Sequence, residues 1–457
     1  MADSISRQIA RFALQLQYDD LPGDVVHEVK RYLYDSIGCA FGGFYTKDVQ
    51  ILRKIYRQME GTHEATLLVS GERIPAVNAT LVNSLAIRAL DFNDIYWKED
   101  PSHPSDLIAA ALNVGELVGA TMKDVIAATA LAYEFEQRMC EFAVPGLRER
   151  KWHHATITQF VSPIVAGRLL RLSEEQLVNA IGISGSHNHT IGCPTAGKLT
   201  MMKNTVDPMA VQAGVLAALM AKENYTGTEE VFEGKEGLMD VYGPDWDTGK
   251  LLDGLGDSFK IMECSMKAFP TEALTHTHIT ATLKVVTEND IQPEQIEEVR
   301  VTTIARACDI LFDPHKYEPT SRETADHSLP YCIARAILDR KITTETFDDE
   351  KIHDPWLKGV IHKIKGEASE EFEKLFPAKQ PSRVTIRTTE GKEHSVYLEY
   401  PKGDPREPMT EQDLDDKFAA LTAPYLSDDS RQRIKEAVFT CETLAGVNQF
   451  MAQMVED

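Results

Sequence analysis

Apolar side chains recur every three or four residues along most of the first two-thirds of the chain, the spacing that places them on one face of a helix. "SRQIARFALQL" and "DVVHEVKRYLYDSIGCAFGG" show it first, and the second closes on a glycine pair suited to a helix C-cap. "HPSDLIAAALNVGELVG" and "MKDVIAATALAYEFEQRMCEF" follow, both rich in alanine, which lets helices pack closely. "LSEEQLVNAIGISG" opens with Ser173 and Gln176 in capping-box spacing. "VDPMAVQAGVLAALMAKENY" reads as a helix capped by Asp207 with Pro208 at its first position. Helices this apolar are expected to pack around one another in a large all-helical domain.

The period changes after about residue 265. "IEEVRVTTIARAC" alternates as a strand does, and "RVTIRTTEGKEHSVYLEY" reads as a hairpin with Gly391 in its turn. "HSLPYCIARAILDRKI" between them is helical in pattern. Beyond "PKGDPREP" the helical period returns, with Thr410 capping "EQDLDDKFAAL" and "DDSRQRIKEAVFTCETLAGVNQFMAQM" closing the chain. The expected fold is mainly α. A helical domain spans 1–265, a smaller α+β lid 266–402 is inserted, and helices over 403–457 rejoin the first domain.

Composition narrows the classes. A chain of 457 residues is long enough for two domains. No apolar run reaches the length of a bilayer span. The first residues, "MADSISRQIARFALQLQYDDLPGDVV", are amphipathic and acidic and lack the uncharged core of a signal peptide, so a cytoplasmic protein is expected. A formal net charge of −23 repels nucleic-acid phosphates and acidic membranes. An anionic substrate then needs local basic groups. Seven widely spaced cysteines without a CxxC pair fit neither a disulfide framework, a zinc ribbon nor an iron–sulfur cluster. Buried free thiols are expected.

Five clusters carry residue types suited to chemistry. "DFNDIYWKEDPSHPSD" places Asp91, Asp94 and His103 between two apolar helices. A structural reading makes Ser105 or Asp106 a helix cap and His103 its hydrogen-bonding neighbour. "KWHHATI" sets His153 and His154 at a helix start after the charged loop "PGLRERK", where they serve either acid–base work or a surface turn. "CPTAGKLTMMKNTVDP" brings Gly197, Lys198 and Lys203 towards a helix N-terminus, a setting that suits a carboxylate or phosphate. "CSMKAFPTEALTHTHITA" holds Lys267, His276 and His278, and "ETADHSLPYCIA" holds His327 and Tyr331. The pair in "SHNHT" is too small a set for a metal.

Taken in order and spacing, "YDSIGCAFGG", "ALDFNDIYWKEDPSHPSD", "KWHHATI", "MMKNTVDPMAVQAG", "MKAFPTEALTHTHITA" and "ADHSLPY" resemble the MmgE/PrpD family over nearly the whole chain. The resemblance implies a helical domain with an α+β lid, a homodimer, and no metal or cofactor. It also implies one of three activities: 2-methylcitrate dehydratase, cis-aconitate decarboxylase or iminodisuccinate epimerase. Carried over by motif, the site residues are Asp91, His103, His154 or its neighbour His153, Lys203, Lys267, His276 and Tyr331. The substrate implied is a small di- or tricarboxylate. Lys203 and Lys267 would neutralise its carboxylates from opposite sides of a polar cleft. A histidine would move the carbon-bound proton or protonate a leaving hydroxyl, and Tyr331 would hold that group. Dehydration of a tricarboxylic hydroxy acid such as 2-methylcitrate is the expected reaction. The rivals are the other two activities and a silent, metabolite-binding helical scaffold. Two residues more than the family pattern lie between Asp91 and His103, in "IYWKEDPS", which reshapes that wall.

Overall fold

The structure is a computed structural model that describes residues 3–59, 61–197 and 199–457. The fold is mainly α. Helices α1 (Ile5–Gln15), α2 (Gly23–Gly43), α3 (Lys47–Arg57), α4 (Ala76–Arg88), α5 (Ile108–Val118), α6 (Met122–Phe142), α7 (Ala155–Leu169), α8 (Glu174–Gly185) and α9 (Met202–Lys222) carry the chain to residue 222. Every residue of α7 is buried, and α9 packs against α4, α7 and α8. Small residues make this possible. At Gly214, a Cβ would lie 2.2 Å from the Ser162 side chain.

Two expected helix ends fall elsewhere. The Gly42-Gly43 pair does not cap α2 in a left-handed turn; the helix runs through Gly43 to Phe44 in right-handed geometry. A Cβ on Gly43 would sit 2.1 Å from the Ala86 carbonyl oxygen, so the glycine serves the crossing of α2 and α4. Asp207 and Pro208 likewise do not start α9. A turn at Thr200 and Met201 starts it, which places Lys203 in the first turn and Asp207 inside the helix. Asp207 is free to face another side chain because Met201 and Thr200 carbonyls already take the first amides. Ser173 and Thr410 cap their helices as their spacing predicts, each accepting the amide three residues on.

One apolar core runs from Ile5 to Met266 and takes in side chains from Met409 to Met454. The helices Glu411–Thr422 and Asp428–Phe439 both lie on α2. A second core spans Ala273 to Ile386. It lies under a sheet ordered Ile364–Ala368, Ile296–Thr303, Ser382–Thr388, Glu393–Leu398, whose first pair is parallel and the others antiparallel. Gly391, at φ 84°, turns the hairpin. The helices His276–Glu288 and Leu329–Asp339 pack on one another beside the sheet. Ile95 and Trp97, from the acidic stretch after α4, belong to this second core. That stretch joins the two halves.

Candidate active site

The chain leaves α4 at Arg88 and reverses at Asp91, which adopts φ +50°, a left-handed conformation that aspartate tolerates better than most residues. Tyr96–Trp97 then pairs antiparallel with Pro101–Ser102 in a small buried hairpin. The Asp94 carboxylate accepts the Ser105 amide (3.1 Å) and hydroxyl (2.7 Å), so neither Ser105 nor Asp106 caps α5. Ile95 and Ser265 exchange backbone hydrogen bonds of 2.9 and 3.0 Å, which sets this wall in register with Lys267. The Lys417 ammonium donates to the carbonyls of Phe92 (2.7 Å) and Lys267 (2.9 Å) and pairs with Asp35 at 2.6 Å.

Asp91 is the hub. Its carboxylate lies 2.7 Å from Lys267 Nζ, 3.1 Å from Lys203 Nζ and 2.5 Å from Arg88 Nη1. Burial alone would raise this carboxyl, but Lys203, Lys267 and Arg88 together hold it well below the usual range. Lys203 and Lys267 are each only 2 % exposed. They are not the open-faced hooks expected of a polar cleft, because both are drawn onto one buried carboxylate. Burial and the neighbouring Arg88 pull Lys267 down, against the opposing field of Asp91. Lys198, singled out with Lys203 in the sequence, lies outside the described residues.

Two imidazoles complete the inner wall. His103 Nδ1 donates to the Asp94 carbonyl at 2.6 Å, which leaves Nε2 as the lone-pair nitrogen of the neutral ring. Burial, then Arg88 and Lys267, push the His103 pKa well below 6.5. The His154 ring centroid lies 5.6 Å from that of His103, and its Nε2 is 3.2 Å from Asp207 Oδ2. Asp207 is held low against burial by His154, His153 and Arg88. His153 stacks behind His154 at 4.0 Å, its Nδ1 accepting the Ala155 amide, and does not line the cavity. His276 backs Lys267: it leans on Phe269 at 5.5 Å and approaches the Thr271 carbonyl that Lys267 also uses.

Tyr331 stands apart. Its hydroxyl donates to the Thr346 carbonyl at 2.6 Å, it packs in the second core, and it does not line the cavity. The structure thus does not bring the Tyr331 hydroxyl to the cavity with Asp91, His103 and the two lysines. Ser328 caps this helix through the Tyr331 amide, which turns the ring inward. The residue of that segment on the cavity is His327, pushed down to about 4 by burial and by Lys203.

Arg88, Arg148, Trp97, Glu272 and His327 also line the inner cavity of ≈ 50 Å³. A larger cavity of ≈ 610 Å³ shares Arg148, Thr195, Ile310 and His327 with it and leads outward. Arg88 was legible as a lone arginine in the apolar run "SLAIRAL", one turn before Asp91. Two sets, His153–His154–Asp207 and Asp91–Asp326–His327, gather ligand-type atoms within 4.8 Å. In the second, the Lys203 ammonium already lies 3.1 Å from Asp91 and 3.7 Å from Asp326, where a cation would sit.

A buried carboxylate clamped by cations thus faces two imidazoles at the junction of a helical and an α+β half. The MmgE/PrpD N-terminal domain matches residues 7–249 and the MmgE/PrpD C-terminal domain residues 269–443. The chain belongs to the MmgE/PrpD family. It is similar to cis-aconitate decarboxylase from Aspergillus terreus, 23% identical with 98% of this chain and 95% of the relative covered. Human cis-aconitate decarboxylase is 24% identical over 97% of this chain and 93% of its own length. The 2-methylcitrate dehydratase of Escherichia coli K12 is 23% identical over 91% of this chain and 90% of its own.

Proposed function

We propose that the chain is a lyase that dehydrates a small tricarboxylic hydroxy acid, such as 2-methylcitrate, by general acid–base catalysis. The observation that carries this reading is the pair of imidazoles on one cavity wall, each held differently. Dehydration removes a proton from carbon and gives one to the departing hydroxide, so it needs a base and an acid together. His103 Nε2, neutral and without a protein partner among the described residues, suits the base. His154, facing the Asp207 carboxylate, suits the acid, since that carboxylate balances a proton on the ring. Lys203 and Lys267 offer charge to a substrate carboxylate as negative charge builds on it. Lys267 keeps its contact with the Asp91 and Thr271 carbonyls while doing so.

The second reading is decarboxylation of an unsaturated tricarboxylate. The relatives named cis-aconitate decarboxylase match nearly the full length of this chain, and that favours it. It needs one proton delivered to carbon rather than two transfers. The test incubates the purified chain with citrate, 2-methylcitrate, cis-aconitate and iminodisuccinate, with products followed by NMR. Loss of water from 2-methylcitrate is expected. Release of carbon dioxide from cis-aconitate alone replaces the first reading with the second. Epimerised iminodisuccinate, or no conversion at all, overturns both.

We also propose a homodimer. Met202, Met209 and Leu216 are exposed at seven-residue spacing along α9, an apolar stripe that a second copy would cover. Light scattering after size exclusion tests it, and a monomeric mass at micromolar concentration refutes it.

A further inference from the structure

Arg148 closes the inner end of the charged loop "PGLRERK" and lines both the inner cavity and the outer one. Its position is built rather than incidental. The Asp100 carboxylate accepts the backbone amides of Leu147 (2.6 Å) and Arg148 (2.9 Å). Gly146 makes that approach possible, because a Cβ there would stand 2.5 Å from the Glu99 carbonyl and 2.7 Å from the Asp100 carboxylate. The guanidinium itself lies over the Trp97 ring, 5.9 Å from its centroid.

Each nearby acid is already engaged. Asp100 is spent on the two amides, and the adjacent Glu149 pairs with Arg306 from the other half of the molecule. Glu272 accepts the Leu274 amide at 2.7 Å, and burial raises it to about 7. Among the described residues, no carboxylate oxygen lies within 4.0 Å of the Arg148 guanidinium. The cluster at Asp91 is different, since its cations already share a carboxylate. Space points the same way. The inner cavity, which His103 lines, and the larger outer one share Arg148, Thr195, Ile310 and His327. A substrate that reaches His103 by way of the outer cavity passes this shared throat and Arg148.

We infer that Arg148, shelved on Trp97, is a specificity-determining residue that binds the outermost carboxylate of a tricarboxylate substrate. A planar guanidinium grips a carboxylate through two parallel hydrogen bonds, so it separates tricarboxylates from dicarboxylates in a way a distant charge does not. The inference rests on the proposed site and adds to it the number of carboxylates recognised.

Titration calorimetry on the full chain tests it with two inert probes, tricarballylate and 2-methylsuccinate, the second being the first without one terminal carboxylate. In Arg148→Gln, affinity for tricarballylate should fall about tenfold or more, with 2-methylsuccinate within about threefold of wild type. An unchanged tricarballylate affinity, or an equal loss for both probes, overturns it. So does a wild-type protein that binds neither. Lys203→Met is the control on the site: if it binds both probes as wild type does, the site itself is misplaced. If Lys203→Met loses binding while Arg148→Gln does not, the role of Arg148 alone falls. Should Arg148→Gln fail to fold, Arg148→Lys carries the test. It keeps the charge without the fork, and a selective loss for tricarballylate of about threefold or more is expected. Absence of that selectivity overturns the inference.

Discussion

Replacing Asp91 by Asn should unfold the protein more readily than removing either lysine that binds it. Asp91 is the shared counter-ion of Arg88, Lys203 and Lys267, at 2.5, 3.1 and 2.7 Å. Without its charge, three buried cations face one another, and orphaning a buried charge costs about 3–5 kcal/mol. Lys203→Met is milder, because Asp91 keeps Lys267 and Arg88. The loss is one charge-assisted hydrogen bond, about 1.5–3 kcal/mol, offset in part by relief of the repulsion that lowers Lys267. Urea unfolding followed by circular dichroism gives the order. The sign with pH follows from the depressed Asp91 pKa. Its stabilisation is complete above the ordinary carboxyl value of 3.8 and is lost as pH falls through the depressed folded value. The gap between wild type and Asp91→Asn should therefore stay constant from pH 8 to about 4 and close below that. Tricarballylate, which brings negative charge into the cluster, should recover part of the Asn variant's loss, about 2.7 kcal/mol at a hundredfold excess over Kd. If either lysine variant is less stable than Asp91→Asn, the description of Asp91 as the hub is wrong.

In catalysis, Lys203→Met and Lys267→Met should each lower kcat/KM by about 10²–10³ while retaining native circular dichroism; near-normal kinetics in both would mean the site lies elsewhere. His103 is held well below 6.5, so its neutral form persists as pH falls, and kcat/KM should stay level from pH 7.5 to about 5.5. An acid limb centred at 6.5 would contradict the burial argument. Tyr331→Phe loses one hydrogen bond to Thr346, about 1 kcal/mol of stability, with kcat within about twofold of wild type; a hundredfold fall in a folded variant would place the hydroxyl in the reaction after all. Activity should survive dialysis against EDTA, and its loss with recovery on adding one metal would assign a role to the His153–His154–Asp207 or Asp91–Asp326–His327 set.

The helical period and the alternation after residue 265 were enough to read a mainly α fold with an α+β portion, because burial imposes those periods directly. Helix ends were harder. Asp207-Pro208 has the letters of a helix start, yet the same aspartate is what a buried histidine needs opposite it. Only the position of α7 beside α9 decides between the two uses. Gly42-Gly43 has the letters of a C-cap, and only the crossing of α4 shows that the missing Cβ makes room for a carbonyl. Tyr331 illustrates a limit of side-chain direction, since a helix start presents several faces and sequence does not say which one meets the cavity. Arg88 and Arg148 were visible as residues, but their roles depend on which acids their neighbours have already taken. That accounting is three-dimensional.

Lys417 adds a matter of timing. Its ammonium fastens the Phe92 and Lys267 carbonyls and neutralises Asp35, yet it follows Lys267 by 150 residues. At about 5–20 residues per second, a ribosome has made every side chain on the inner cavity, the last being His327, about 5–18 s before Lys417 appears. Throughout that interval Asp35 and the two carbonyls lack their shared cation. A nascent chain interrupted before the Glu411–Thr422 helix thus carries every side chain of the inner cavity without the cation that ties its wall together.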